Sequence, residues 1–290
     1  MDLRLPESLE RIHSVEGGPE WVAALPRLVS DALDRWSLRI TGDPFPGSYV
    51  SLVVPVTSDD EPAVLKIQFP HDESAHEAEA LRVWDGDGAI RLLGHEPDLF
   101  ALLVERCRPG DHLADAGPEV AMEVLIGLLP RLWVAADGPF RLLDEEARGW
   151  IEDIPGSWER TGRRVERRLI DAAVDALAGV IGVTSGVLLH QDLHGHNVLQ
   201  ATREPWLVID PKPLVGDRAF SVAPIVRSYE LGHSEAEVLR RFDRLVDAFD
   251  LDSSRAAAWT IGQTIAWAFE GDSALERHVE TARWLVEHRL

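Results

Sequence analysis

Trp21, Leu25, Leu28, Val29, Ala32 and Trp36 recur at steps of three and four residues, the period of one helix face. A helical stretch is therefore predicted over Pro19–Trp36, with Pro26 opening a second segment within it. The run SYVSLVVPVTSDDEPAVLKIQF then changes period, with two apolar strand-like stretches flanking the turn TSDDEP in the pattern of a hairpin. A helix with Leu81 and Trp84 on one face follows, then short strands near Arg91–Leu93 and Leu99–Val104. After the Pro/Gly signal CRPGD the pattern is mostly helical to the last residue, interrupted by GVLLH and PWLVID. The expected fold class is α+β, with a small sheet-rich N-terminal part at 1–104 and a larger helical part at 105–290. No internal repeat or low-complexity segment is visible.

Composition narrows the class. A chain of 290 residues, 45% hydrophobic and 27% charged, buries a full core and divides into one large domain or two lobes at about 100 to 200 residues per domain. The single cysteine, Cys107, cannot close an internal disulfide, and the opening MDLRLPESLERIHSV lacks the apolar core of a signal peptide, so a cytoplasmic protein is expected. The longest apolar stretch, Val124 to Ala136, is broken by Pro130 and Arg131 and falls short of the roughly 18 uninterrupted residues of a membrane span. A formal charge of −21 repels phosphate backbones and attracts cations, which argues against nucleic acid as a partner. Of the 29 basic residues all but Lys66 and Lys212 are arginine. Two lysines kept in so arginine-rich a chain point to places where a compact ammonium is needed.

The chemistry concentrates in HQDLHGHNVLQATREPWLVIDPKPLVGD. His190, Asp192 and Asn197 form H-x-D-L-x-x-x-N, the catalytic-loop pattern of protein-kinase-like enzymes, in which the aspartate meets the acceptor hydroxyl and the asparagine holds magnesium. Thirteen residues after Asn197, Asp210 ends a hydrophobic strand, the position of a second magnesium ligand. Phosphoryl transfer asks for alignment of an oxygen and neutralisation of phosphate charge, and hard oxygen donors suit magnesium. Zinc is the competing reading of His190, His194 and His196, but H-x3-H-x-H matches no H-E-x-x-H helix and lacks a cysteine cluster. His190 is expected to pack and steady the loop, with His194 and His196 near the acceptor.

Upstream, alternation in AVLKIQF puts Val64, Lys66 and Gln68 on one strand face and Leu65, Ile67 and Phe69 on the other. Lys66 can then reach a nucleotide, with Val64 beneath the adenine ring. In ESAHEAEALRVW, Glu77 shares a face with Leu81 and Trp84, whereas Glu79 points away, so Glu77 is the expected partner of Lys66. Neither G-x-G-x-x-G nor G-x-x-x-x-G-K-[ST] is present. In TGDPFPGSYVS, Gly47 would allow close backbone approach to phosphate and Ser48 or Ser51 would donate a hydroxyl, although a plain hairpin turn explains the same residues.

These motifs, with AVLKI, WDGDGAIRLL and LLVERCRPG, resemble the aminoglycoside phosphotransferases, in particular the group of streptomycin 6-kinases and hydroxyurea resistance kinases. The resemblance runs through nearly the whole chain. It implies a bilobal protein-kinase-like fold with an antiparallel-sheet N-lobe and a mainly helical C-lobe, a hinge at about 105–110, ATP with Mg2+, and transfer of the γ-phosphate to a small-molecule hydroxyl in an antibiotic-resistance setting. It further implies Asp192 as catalytic residue, Asn197 and Asp210 as metal ligands, Lys66 with Glu77 as phosphate anchor, and Glu105 to Cys107 beside the adenine. Two positions depart from the pattern: Ser221 replaces the second aspartate of G-D-x-x-x-D, and Gln191 stands where relatives commonly carry Gly or Trp.

For the acceptor, Gln263, Trp267 and Glu270 at i, i+4 and i+7 would give one helical face an amide, an aromatic plane and a carboxylate, suited to a cationic sugar or guanidino compound. The same spacing equally describes a core tryptophan with polar flanks. The expected function is thus a monomeric streptomycin 6-kinase-like enzyme. A kinase for hydroxyurea or an amino sugar, and a nucleotide-binding protein impaired by Ser221, are the alternatives. A protein kinase is disfavoured because IDP replaces D-F-G and no A-P-E follows.

Overall fold

The structure, a computed structural model, describes residues 4–182 and 186–290. The chain forms two compact units: one holds the residues up to Gly110 together with Gln200–Leu207, the other Asp111–Leu199 with Val208–Leu290.

In the first unit, helix α1 (Gly18–Arg35) buries Trp21, Leu25, Leu28, Val29 and Ala32, the stripe expected from the spacing. Pro26 lies inside this one continuous helix and does not open a second, which corrects the two-segment expectation. Its ring is on the exposed side, and burial of the unbroken stripe, about 1.5–3 kcal/mol for each large side chain, outweighs the roughly 3 kcal/mol cost of an interior proline. Strands β1 (Arg39–Ile40), β2 (Ser51–Ser58), β3 (Glu61–Gln68), β4 (Leu92–Glu96) and β5 (Ala101–Glu105) form an antiparallel sheet in the order β1-β2-β3-β5-β4. The β2–β3 hairpin turns on Asp59 and Asp60, both with left-handed backbone (φ 49° and 66°), the conformation a tight hairpin requires. Leu65, Ile67 and Phe69 join the α1 core, leaving Val64, Lys66 and Gln68 for the other face. Helix α2 (Glu77–Trp84) supplies buried Glu77, Leu81 and Trp84.

The second unit is mainly helical, with α3 (Pro118–Leu132), α4 (Leu143–Arg160), α5 (Arg167–Val180), α6 (Val222–Val226), α7 (Glu235–Phe249), α8 (Ser253–Ala266) and α9 (Glu276–Arg289). Helix α8 is buried from Ala256 to Ile265 and packs against α4, α5, α6, α7 and α9. A small sheet orders β6 (Arg141–Leu142), β10 (Leu214–Gly216) and β7 (Val187–Leu189). The ribbon of β8 (Val198–Gln200) and β9 (Trp206–Val208) carries the chain out of this unit and back. Its tip belongs to the first unit, where Arg203 donates to Glu105 (2.9 Å) and to the carbonyls of Gly86 (2.7 Å) and Ala89 (2.9 Å). No helix among the described residues is long and apolar enough to cross a membrane.

Candidate active site

Lys66 on β3 and Glu77 at the start of α2 meet inside the first unit, Nζ to Oε2 2.5 Å, with side chains 9% and 2% exposed. Gln68, two residues on and so on the same strand face, donates to the same carboxylate oxygen at 2.7 Å. A buried carboxylate needs such partners to remain charged. Val64 is buried beside them in sequence. Ser48 donates to Ser51 at 3.1 Å. The Glu105 carboxylate is taken up by Arg203 and by the Arg91 N–H (3.0 Å), so only main-chain groups at this position remain for a ligand. Burial, reinforced by Glu105, pushes the Cys107 thiol up to about 12, and it stays an uncharged, unreactive group.

In the second unit the loop from His190 to Asn197 is fixed at both ends. His190 is buried; its Nε2–H donates to the Ile209 carbonyl at 2.9 Å and its Nδ1 accepts the Asp192 N–H at 3.3 Å. Burial lowers its pKa to about 4 and keeps the ring neutral, as that bonding requires. The Ile209 N–H donates to the Asn197 carbonyl (2.9 Å) and the Lys212 N–H to the His190 carbonyl (3.1 Å), which lays the segment carrying Asp210 along the loop. Asn197 Nδ2 donates to the Asp192 carbonyl at 2.8 Å, so the amide is oriented and its oxygen is the atom left for a metal.

Two cations bracket the Asp192 carboxylate. Lys212 Nζ is 3.2 Å from Oδ2 and Arg227 Nη2 is 3.4 Å from Oδ1, with His194 Nε2 at 3.8 Å. Burial alone would raise this carboxyl group's pKa, but Lys212 and the other positive neighbours outweigh it and hold the group well below the ordinary carboxylate range. Arg227 is itself clamped: Nη1 donates to Gln263 Oε1 at 2.6 Å, Gln263 Nε2 donates to the Gln191 carbonyl at 3.2 Å, and the guanidinium lies 4.3 Å from the Trp267 ring centroid. Lys212 Nζ is 5.0 Å from the same centroid.

The acceptor face expected on one helix does not exist as such. Helix α8 ends at Ala266, Trp267 caps it, and Glu270 belongs to the short strand β11 (Phe269–Glu270), which pairs with β12 (Ser273–Ala274). Gln263 is wholly buried and occupied by Arg227. The Trp267 ring lies against Arg227 and Lys212, the two cations on Asp192, and so already carries the chain's own cations. Arg227, Lys212 and His278 are the site residues the motifs did not indicate. Burial, with Arg227 and His233 nearby, lowers His278 to about 4. Lys212 had a signal in its rarity; Arg227 and His278 had none, since long-range contacts bring them in.

Among the described residues no group of three or more His, Cys, Asp or Glu is arranged to hold a metal. Magnesium does not require one, because it takes one or two protein oxygens and completes its shell with phosphates and water. The oriented Asn197 amide oxygen and the neighbouring Asp210 fit that demand.

A family model described as aminoglycoside/hydroxyurea antibiotic resistance kinase matches residues 35–274. The chain belongs to this family. Among curated proteins it is 40% identical to a streptomycin 6-kinase of Streptomyces glaucescens, covering 89% of this chain and 88% of that one. It is also 40% identical to a hydroxyurea phosphotransferase of Kitasatospora aureofaciens, covering 98% of this chain and 86% of that one. Solved structures with the same fold include a choline kinase of Streptococcus pneumoniae (TM-score 0.61, 12% identity, 91% of this chain and 99% of that one). A thermostable mutant of the aminoglycoside phosphotransferase APH(4)-Ia gives TM-score 0.62 at 13% identity, with 88% of this chain and 97% of that one covered. The aminoglycoside/hydroxyurea kinase thus has the protein-kinase-like fold that the motifs implied, and it is a phosphotransferase acting on hydroxyl groups.

Proposed function

We propose that this kinase transfers the γ-phosphoryl group of ATP to a hydroxyl of an aminoglycoside-like small molecule, with streptomycin as the first acceptor to test. The observation that carries the reading is the Asp192–Asn197–Asp210 set, joined by the His190, Asn197 and Ile209 hydrogen bonds in a chain 40% identical to a streptomycin 6-kinase. Asp192 accepts the hydroxyl hydrogen bond and orients the oxygen toward phosphorus. Asn197 and Asp210 hold magnesium, which when bound neutralises phosphate charge. Lys66, kept charged and aimed by Glu77, contacts the phosphates, while Val64 and the main chain of 105–107 take the adenine and Ser48 a phosphate oxygen.

The formal charge of −21 favours a cationic acceptor. Arg227 and Lys212 already occupy the Asp192 carboxylate and the Trp267 ring, so the acceptor's own cations are expected away from Asp192, with Glu270 a candidate contact. Hydroxyurea is the second reading, supported by a relative of equal identity over more of the chain. An impaired module has less support: the loop that Ser221 fails to brace as an aspartate would is held by His190 and Asn197.

The test is mass spectrometry of streptomycin, amino sugars and hydroxyurea incubated with ATP, magnesium and the protein. One phosphoryl group on streptomycin is expected, reduced by about a thousandfold or more in Asp192→Asn with nucleotide binding retained. Phosphorylation of hydroxyurea alone replaces the first reading with the second, and an Asp192→Asn variant with full turnover removes Asp192 from its role.

A further inference from the structure

Each oxygen of the Asp192 carboxylate faces a cation, Arg227 on Oδ1 and Lys212 on Oδ2. Each of those oxygens keeps a lone pair for the acceptor hydroxyl, so what distinguishes the two cations is which of them can exchange Asp192 for a phosphoryl oxygen. Arg227 cannot: its side chain is 7% exposed, bonded to the buried amide of Gln263 and stacked on Trp267. Lys212 can. Its backbone is pinned by the hydrogen bond to His190 and by the prolines on either side, Pro211 and Pro213, yet its side chain is 24% exposed on a flexible four-carbon stem. It lies two residues beyond Asp210, the candidate metal ligand, and therefore at the phosphate end of the segment.

Resting on the phosphotransfer reading, we infer that Lys212 is a catalytic residue that leaves Asp192 for the transferring γ-phosphoryl group when the nucleotide binds. Its departure leaves Oδ2 wholly to the acceptor hydroxyl, and its ammonium meets the charge spread over the equatorial phosphoryl oxygens. In the step itself the hydroxyl oxygen forms a bond to the γ-phosphorus and the bond from that phosphorus to the β–γ bridging oxygen breaks. ADP leaves with that electron pair, the hydroxyl proton passes to Asp192 and then to solvent, and Lys212 stays protonated throughout. Arg227 remains on Oδ1 as the positioning residue. A lysine suits this double duty better than arginine, because a point charge with three rotatable donors can exchange partners where a planar fork would be held in one geometry. In a chain where only one other lysine is present, and that one in the Glu77 pair, the use of lysine here agrees with the exchange.

The test compares binding of Mg·ADP and of the non-hydrolysable Mg·AMPPNP to the wild type, Lys212→Met and Lys212→Arg. If Lys212 goes to the γ-phosphoryl group, Lys212→Met loses about tenfold or more in AMPPNP affinity while ADP affinity stays within about twofold. Turnover on a phosphorylated acceptor falls about a hundredfold or more, and Lys212→Arg recovers part of both losses. Equal weakening of both nucleotides, or no change in either, overturns the inference. If the wild type phosphorylates no acceptor in the panel, the proposed acceptor class fails by itself, and the AMPPNP-to-ADP comparison still decides Lys212. A wild type that binds neither nucleotide overturns both.

Discussion

Trp133 donates its indole N–H to Ser221 Oγ at 2.9 Å, so the residue that replaces a family aspartate is engaged with a tryptophan side chain. Both line a cavity of about 10 Å³ together with His190 and Gln191. The amide N and O of Gln191 are buried there without a hydrogen-bond partner.

Ser221→Asp should restore a brace, because the new carboxylate keeps the Trp133 N–H as a donor in a cavity that it shares with Gln191. We expect turnover equal to or above wild type, with the charge-assisted hydrogen bond set against the cost of burying the carboxylate in the stability. Ser221→Ala, which strands the Trp133 N–H, should lose about 1–2 kcal/mol. Urea unfolding of both variants checks this; an unfolded Ser221→Asp would mean that the cavity accepts only a neutral side chain.

Gln191 holds a left-handed backbone at φ 64° while burying its unpaired amide. Both features cost free energy, about 1 kcal/mol for the backbone and a further 1–3 kcal/mol for the amide. Gln191→Gly removes both at the expense of some packing, and the melting temperature should rise by a few degrees. A fall would show that the glutamine is held by contacts stronger than these costs.

Lys66 and Glu77 form a buried pair, and removing one partner leaves the other charge uncompensated. Lys66→Met and Glu77→Leu are each expected to cost about 3–5 kcal/mol, and the double variant less than the two costs added. A double-mutant cycle in urea measures the coupling; strict additivity would mean that the pair does not act as one.

Acid should weaken the fold through His190. His190 has a folded pKa of about 4 against about 6.5 when unfolded, so between these values the unfolded chain takes up a proton that the folded one refuses. Stability therefore falls as pH drops through this window, by about 2 kcal/mol from His190 alone between pH 7 and 4.5. Asp192, held below the ordinary carboxylate range, has the same sign but acts lower: its contribution is present above the unfolded value of about 3.9 and is lost as pH falls below that. His190→Gln should be less stable at neutral pH yet lose less on acidification, as read from urea midpoints at the two pH values.

Where chemistry follows local period, the sequence is readable. Strand alternation placed Lys66 opposite the α1 core, helix phase chose Glu77 over Glu79, and a contiguous loop motif gathered Asp192, Asn197 and Asp210. The errors lie where period runs past an end or where packing decides. Helical phase does not extend from Gln263 to Glu270 because α8 ends between them, and Pro26 is no boundary because the buried stripe carries the helix through it. Arg227 joins Gln263 from 36 residues away, and no local pattern encodes that contact.

The ribbon tip raises a matter of timing. Arg203 ties Glu105, Gly86 and Ala89 together inside a unit whose other residues end at Gly110. During synthesis the first unit lacks, until the tip is made, a guanidinium encoded 93 residues beyond that point, with the Glu105 carboxylate meanwhile holding the Arg91 N–H but no cation. A gene cut after Gly110 would make that lack permanent, so the N-terminal unit is not a cassette that can be exchanged between chains as a single contiguous piece.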